Sequence, residues 1–311
     1  MRPKSFRTPE SGHLRKNLFI ILMIVYPILQ FLVFYVYMNF SNFMLAFQGM
    51  NKDGSKYYAG FDNFIRVFNG VDTELIFTSF WNNIKMFFWT LVIGMPLNIL
   101  FGFYLFKKKF GHKIIRIVYM LPGMVSGVVM SLIFLKLVQI GIPNMMRTWF
   151  DREIPNLLFE DNTAFGIQIF YTLWLGFSSS IIYYSNAMFA IDQSMLEAAK
   201  IDGASPIRQL FSIVVPNITP MLSTFMITGV ASIFTAAGHL FLFYGLSDVP
   251  VSTYMTGYYM FKIAYTGELT AYPTAAAVSI IITVITIPLA LGTRKLMDWL
   301  NPLKDVQKEI A

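Results

Sequence analysis

Six long runs that contain no Asp, Glu, Lys or Arg constrain this chain more than any other feature of its sequence. Backbone polar groups find no water in lipid, so only helices and closed barrels cross a membrane. A run of about 20 apolar residues crosses the roughly 30 Å hydrocarbon layer as one helix. The sequence therefore predicts an all-α integral membrane protein with six transmembrane helices, near Leu18–Asn39, Met86–Phe106, Ile117–Leu135, Ala164–Phe189, Thr219–Phe241 and Ala275–Leu291.

Composition agrees with a membrane protein and excludes several kinds of functional site. Only 13% of the 311 residues are charged, whereas soluble domains carry about a quarter. The chain has no cysteine, which excludes disulfides and thiolate metal sites. Its three histidines, His13, His112 and His239, are too scattered to predict a metal site. Since no acid, base and nucleophile converge in any run, we predict a chain without catalytic residues.

The distribution of basic residues predicts the orientation in the membrane. If both termini face the same side, that side holds 16 of the 24 Lys and Arg residues. Lys and Arg near the ends of spans favour the cytoplasmic side, so both termini are predicted to be cytoplasmic. We expect an N-terminus over residues 1–17, a transmembrane domain over residues 18–292 and a tail over residues 293–311. The net charge of +7 is thus a topology signal, and no nucleic-acid partner is predicted.

One compact charged segment lies between the fourth and fifth runs. Asp192 is a plausible N-cap for a helix that runs to Ile201, because its carboxylate can accept from free backbone N–H groups. Gly203 suits the left-handed conformation that closes many helices. Ser205 followed by Pro206 is the pattern that begins a second helix. The segment is therefore predicted to form a rigid helix-turn-helix, after which Pro216 and Pro220 mark the return to the membrane.

The spacing inside this segment resembles a family signature. Glu197-Ala198-Ala199 is followed after three residues by Gly203, and after nine more by Ile213-Val214-Val215-Pro216. This is similar to the EAA motif of permeases from binding-protein-dependent ABC importers, with Val215 in place of a leucine. "IDGAS" at residues 201–205 resembles the carbohydrate branch, although Asp192 stands where that branch often has proline. We name residues 192–217 the EAA segment.

Weaker resemblances cover most of the chain, from about residue 18 to residue 292. "GFDNF" (60–64), "RIVYMLPGMVSGVVM" (116–130), "LWLGF" (173–177) and "TAYPTAAAVSIIITVI" (270–285) are similar to stretches of these permeases. Six spans with a long second outer connection resemble the first permease of maltose-type or polysaccharide-type importers. The resemblance implies the type I ABC importer permease fold and a location in the bacterial cytoplasmic membrane.

The resemblance also implies a mechanism and partners. The EAA segment would be a coupling helix that docks on an ATPase and drives alternating access. The implied coupling residues are Glu197, Ala198, Ala199, Asp202, Gly203, Ile213 and Pro216. The expected partners are a second, different permease, two cytoplasmic ATPase subunits, an extracytoplasmic sugar-binding protein and membrane lipids. This chain has no phosphate-binding G-x-x-x-x-G-K-[ST] motif, so ATP and Mg²⁺ are expected in the ATPase and no cofactor here.

A sugar pathway would combine aromatic faces with amides and hydroxyls. The fourth run carries such side chains, and Trp174, Ser178, Tyr183 and Asn186 are the predicted pathway residues. Two other functions stay open: a self-contained secondary transporter, or an importer of another solute such as a glycerol phosphate ester. The first fits poorly, because ion-driven carriers commonly keep ionisable groups within their spans. A scaffold subunit, and a segment that is only an amphipathic loop, are further alternatives.

Overall fold

A computed structural model describes residues 10–247, 249–266 and 268–301 of the chain. Of the predicted N-terminal segment, residues 1–17, positions 1–9 lie outside the described residues. Of the predicted tail, residues 293–311, positions 302–311 lie outside them. Residues 10–17 and 293–300 belong to the first and last long helices. The chain divides into two compact units, residues 1–66 with 268–280 and residues 67–267 with 281–311.

The described residues include six helices that are long and apolar enough to cross a membrane, as predicted. These spans are Lys16–Ala46, Thr73–Phe106, Gly127–Phe150, Ala164–Phe189, Pro206–Ser232 and Leu269–Leu300. The first of them begins within helix Glu10–Gln30. The fourth span has the predicted bounds, whereas the others extend beyond them or are shifted. Shorter helices are Asp62–Asn69, His112–Met124, Gln193–Ile201, Leu240–Tyr244 and Thr256–Thr266, with 3₁₀ turns at Val251–Thr253 and Leu269–Ala271.

Four π-helical segments, Phe31–Tyr37, Thr90–Gly94, Leu137–Gly141 and Leu210–Val214, lie inside the spans. Three of them end two residues before a proline, namely Pro96, Pro143 and Pro216. Proline lacks an N–H and its ring clashes with the carbonyl four residues earlier, which falls inside the π-helical segment in each case. The wider turn accommodates the proline without ending the helix.

Three predicted helix boundaries are wrong, the first of them for this reason. The helix Pro206–Ser232 runs through Pro216 and Pro220, so the second helix of the EAA segment is the start of the fifth span. This span ends at Ser232, not at Phe241, because the chain turns over residues 233–239 with Gly238 at φ +59°. The predicted third span, Ile117–Leu135, is interrupted where Val125 and Ser126 are extended.

The first unit contains an ordered motif after the first span. Strand Gln48–Met50 pairs antiparallel with Lys56–Tyr58, and Gly49 lies opposite Tyr57. The buried Asn63 of "GFDNF" donates both amide hydrogens, to the carbonyls of Ala46 and Gln48, at 2.8 Å each. The ring of Phe47 contacts both phenylalanines of the motif, with centroids 5.5 and 5.3 Å away. The motif thus holds the hairpin against the end of the first span.

The second unit contains the core that carries the EAA segment. A cluster of buried side chains joins this segment to the second, fourth, fifth and sixth spans. Its members are Phe106, Tyr184, Met188, Ile191, Leu196, Leu210, Val214, Ile218, Leu222 and Met297. Between helices in a membrane, close van der Waals packing of such side chains is a main stabilising term, because lipid is as apolar as they are. The EAA segment is therefore fixed to the helical bundle by its apolar face.

Candidate functional site

The EAA segment begins with a capped helix, Gln193–Ile201. The backbone of Asp192 is extended, and its carboxylate accepts a hydrogen bond from the N–H of Ser194 at 2.9 Å. This bond stabilises the charged carboxylate and lowers the pKa of Asp192 below its ordinary value. The predicted N-cap is confirmed.

The helix ends in a Schellman motif. The N–H of Gly203 donates to the carbonyl of Lys200 at 3.1 Å, and the N–H of Ala204 donates to that of Ala199 at 2.9 Å. Gly203 has a φ of +77°, a conformation that an L-residue adopts only at a cost. The predicted closing role of Gly203 is therefore confirmed.

The next helix starts two residues later. The hydroxyl of Ser205 accepts from the N–H of Arg208 at 3.3 Å, and Pro206 is the first helical residue. The predicted cap and start are confirmed. Three helix ends are thus closed by side chains and backbone within 14 residues, 192–205, which makes the turn rigid.

A buried amide ties this turn to another part of the second unit. Gln209 donates from Nε2 to the carbonyl of Ala204 at 2.8 Å, and its Oε1 accepts from Nζ of Lys107 at 2.6 Å. Lys107 follows the end of the second span directly. Sequence reasoning did not identify Gln209, because a glutamine between an arginine and a leucine is ordinary on a helix surface.

The predicted coupling residues fall into two groups. Glu197, Ala198, Asp202 and Gly203 are exposed on the turn, and Ala199 is half-buried beside them. Ile213 and Pro216 are half-buried inside the helix of the fifth span, where Ile213 packs against the buried cluster. Two further aliphatic side chains belong to the exposed surface, Ile201 at 86% exposure and Ile207 at 70%. Sequence reasoning did not single out these two.

A cavity of about 370 Å³ lies among the second, fourth and fifth spans. It is lined by Asn83, Met86, Phe87, Thr90, Leu91, Gly94, Met95, Asn98, Thr172, Leu173, Gly176, Ser180, Tyr184, Phe225, Met226, Gly229, Ser232, Ile233, Ala236 and Met255. None of these lining residues is charged. The cavity combines aromatic rings with amides and hydroxyls.

Some of these polar groups have unused hydrogen-bonding capacity. Asn98 donates from Nδ2 to the carbonyl of Gly94 at 2.8 Å, but its Oδ1 has no partner among the described residues. The same holds for the hydroxyl of Thr172. Buried polar atoms normally have partners, so these two are unusual among the polar groups of the lining, although the surrounding side chains enclose both atoms.

Two neighbouring asparagines of the second span bind backbone groups, and one of them, Asn83, lines the cavity. Asn83 donates to the carbonyl of Ile233 at 2.7 Å and accepts from the N–H of Thr256 at 3.3 Å. Asn82 donates to the carbonyl of Tyr254 at 3.0 Å. The first of these bonds satisfies a carbonyl just after the fifth helix, which ends at Ser232, and the other two satisfy backbone groups of residues 254–256. Sequence reasoning did not identify either asparagine.

The four predicted pathway residues lie outside the cavity lining. Ser178 is buried, and Trp174 packs beside Phe134 with ring centroids 6.1 Å apart. Tyr183 and Asn186 are exposed on the outside of the fourth span. They are three residues apart and so share one helix face. The role of all four in a substrate pathway stays a prediction.

Comparison with proteins of known sequence finds relatives that are named as permeases. The arabinooligosaccharides transport system permease protein AraP of Bacillus subtilis (strain 168) is 24% identical over 199 residues, 62% of each chain. The probable ABC transporter permease protein YurN of the same strain is 25% identical over 299 residues, 90% of this chain and 96% of YurN. The sn-glycerol-3-phosphate transport system permease protein UgpA of Escherichia coli O157:H7 is 29% identical over 170 residues. That match covers 54% of this chain and 56% of UgpA.

Solved structures show the same fold. A bacterial ABC transporter involved in the import of the acidic polysaccharide alginate contains a chain that aligns with a TM-score of 0.77 at 18% identity. The alignment covers 92% of this chain and 97% of that one. In a complex of the alginate transporter with its pentasaccharide-bound periplasmic protein, the TM-score is 0.78 at 19% identity. The predicted all-helical permease fold is confirmed.

The family model described as "binding-protein-dependent transport system inner membrane component" matches residues 91–305. This range contains the EAA segment and five of the six spans, in whole or in part. The family resemblance stated from the EAA spacing is therefore confirmed. The chain is a multi-pass membrane protein that belongs to the family of binding-protein-dependent transport system inner membrane components.

Proposed function

We propose that this chain is the translocating permease subunit of an ATP-driven importer for a carbohydrate, with an oligosaccharide as the favoured substrate. The observation that carries this proposal is the uncharged cavity, whose lining combines the amide of Asn98 and the hydroxyl of Thr172 with the rings of Phe87, Tyr184 and Phe225. Sugar rings present hydroxyls at their edges and apolar faces, and this lining can receive both. The names of AraP and of the alginate transporter support the same substrate class.

A glycerol phosphate ester fits this cavity less well. A phosphate dianion in an apolar cavity needs a cation or several donors to offset its desolvation. None of the lining residues is Lys, Arg or His. The similarity to UgpA supports membership of the family. The chemistry of the cavity lining, and not this similarity, is the basis for the proposed substrate.

The EAA segment supports coupling to a separate ATPase. Ile201 and Ile207 are exposed on a turn that is anchored on its other face by Leu196 and Leu210. Exposed aliphatic side chains on a rigid element mark a protein-binding surface. ATPase closure would move this element as a rigid body and switch the side to which the cavity opens. In this proposal both termini and the EAA segment are cytoplasmic, and ATP and Mg²⁺ bind to the ATPase.

The full assembly follows from the same proposal. A different permease would pair with this chain, two ATPases would dock on the coupling segments, and an extracytoplasmic sugar-binding protein would deliver the substrate. Glu197, Ala198, Ala199, Asp202 and Gly203 would form the docking turn, while Ile213 and Pro216 would transmit its motion into the fifth span. Tyr183 and Asn186, exposed on one face, would then face the second permease across the pathway.

Affinity purification from native membranes tests this proposal. Ile201→Asp places a charge on the docking surface and costs little folding energy, because the side chain is exposed. Val71→Asp is the matched control, since Val71 is exposed between the first and second spans. We expect wild type and the Val71 variant to bring down an ATPase and a second permease, and the Ile201 variant to lose the ATPase.

Transport assays in proteoliposomes complete the test. The purified complex should take up radiolabelled oligosaccharide only with its binding protein and ATP. Uptake by the chain alone, without ATP, would contradict the importer proposal and indicate a secondary carrier.

A further inference from the structure

A second cavity, of about 470 Å³, lies where the second span ends and the EAA segment turns. Lys107, Lys109 and Lys200 all line it, and we name it the lysine pocket. Two of these lysines follow the end of the second span at Phe106, and the third belongs to helix Gln193–Ile201. Residues more than 90 positions apart in the chain therefore bring three ammonium groups to one cavity.

The positive charge of this pocket is not neutralised within the described part of the chain. No Asp or Glu lines the pocket, and none of the three lysines forms an ion pair with a described carboxylate. Lys107 donates to the neutral amide of Gln209. Partial burial, together with the charges of Lys109 and Lys200, lowers the pKa of Lys107. Three like charges around a concave surface repel one another, and an anion placed among them removes that repulsion.

One wall of the pocket is largely apolar and belongs to a membrane span. Leu100, Phe103 and Tyr104 form this wall, and all three lie in the last two turns of the second span. The connection beyond it also exposes two apolar side chains among its basic residues, Phe110 at 98% and Ile114 at 69%. Apolar side chains exposed next to the end of a span indicate contact with the membrane interface. The pocket thus has an apolar wall on its membrane side and cations at its rim.

We propose that the lysine pocket binds a phosphate oxyanion, as carried by the headgroup of an anionic phospholipid. Lysine binds phosphate as a point charge with three donors, and basic pockets between membrane helices hold anionic headgroups. The bound group would bridge the loop at residues 107–109 to Lys200 of the EAA segment. It would add a second tie beside the Lys107–Gln209 bond and make the turn more rigid. This inference goes beyond the transported substrate and does not depend on it.

Native mass spectrometry of the purified protein in mild detergent tests the proposal. Phosphatidylglycerol is added in one series and phosphatidylcholine in a matched series. The test variant is Lys109→Gln with Lys200→Gln. The control is Lys108→Gln with Lys113→Gln, which removes the same charge from lysines outside the pocket. We expect the test variant to bind phosphatidylglycerol about thirtyfold more weakly, since each lysine near the surface contributes roughly a factor of five.

The source of the phosphate is separated by adding inorganic phosphate at millimolar concentration. If phosphate displaces phosphatidylglycerol from wild type, the pocket is an oxyanion site that also accepts soluble phosphate. If the lipid stays bound, its acyl chains contribute to binding and the ligand is the lipid headgroup. Equal weakening in both double variants, or equal binding of the two lipids by wild type, would overturn the proposal. Thermal unfolding of each variant checks the fold, and Lys109→Gln alone repeats the comparison if the double variant is less stable.

Discussion

At the scale of single residues, the caps of the EAA segment were predictable and its tertiary ties were not. Asp192, Gly203 and Ser205 act on backbone groups one to four residues away, so the local order of residue types reveals them. Gln209 binds Lys107, 102 positions earlier, and Asn83 binds the carbonyl of Ile233, 150 positions later. Only the fold brings such partners together.

The first prediction concerns the positive φ of Gly203. Gly203→Ala should destabilise the turn by about 1 to 2 kcal/mol, because an L-residue is strained in the left-handed region. Gly166→Ala is the matched control, since a methyl group added at either glycine would meet open space but Gly166 is helical. Alanine there should stabilise the fourth span by up to about 1 kcal/mol. Hydrogen exchange of the EAA segment and ATPase co-purification measure the difference, and equal behaviour of the two variants would refute it.

The second prediction concerns the charge of Asp192. Its lowered pKa means that the folded state favours the carboxylate. The contribution of this cap to stability is therefore complete above the ordinary pKa of about 3.9 and is lost as pH falls through the folded value. Exchange of the amide of Ser194 should be independent of pH between 8 and 5, after correction for the intrinsic rate. Asp192→Ala should lose this protection throughout the range, whereas Asp192→Asn should keep most of it.

At the scale of helices, charge-free runs predicted the number of spans, whereas proline predicted their ends poorly. Pro216 suggested a boundary, but the π-helical segment Leu210–Val214 absorbs it and the helix continues. The break at Val125–Ser126 lies in a long uncharged run, where the turn signals Pro122-Gly123 and Ser126-Gly127 outweigh hydropathy. The ends of spans depend on contacts with neighbouring helices, which hydropathy does not contain.

The third prediction concerns the tie between the EAA segment and the second span. Gln209→Leu should destabilise this contact by roughly 1 to 3 kcal/mol, because the carbonyl of Ala204 and the ammonium of Lys107 lose their partner. Gln209→Glu keeps an acceptor for Lys107 and loses only the donor to Ala204. We expect faster exchange over residues 193–209 in the order wild type, Glu, Leu. If hydrogen exchange in the Leu variant is as slow as in wild type, the hydrogen bonds of Gln209 do not stabilise the EAA segment.

At the scale of the whole molecule, the membrane class and the family were evident from sequence, while the position of the cavity was not. The predicted pathway residues were chosen from the fourth span by residue type alone. Which side of a span faces a cavity depends on how the second and fifth spans pack against it. Ser180 and Tyr184 line the cavity, whereas Ser178 and Tyr183, which are chemically equivalent, do not.

The fourth prediction tests the cavity as the transport route. Gly176 lines it and has open space where a side chain would begin, so Gly176→Trp should fill it without a backbone clash. Gly166→Trp adds the same ring to the same helix outside the cavity. We expect Gly176→Trp to reduce ATP-dependent uptake at least tenfold, on the order of 1.4 kcal/mol, while assembly with the ATPase persists. Unchanged uptake in this variant would place the route elsewhere, for instance along Tyr183 and Asn186.

The absence of charge from the lining of the cavity has an electrical consequence. Moving one elementary charge across a membrane changes its free energy by about 2.3 kcal/mol for every 100 mV of membrane potential. In the proposed alternating-access step, the walls of the cavity would carry no fixed charge through that field. With a neutral sugar inside, this step would be electrically silent. Under the proposed function, we therefore expect a cell that loses most of its membrane potential to import the solute at the same rate as long as ATP lasts.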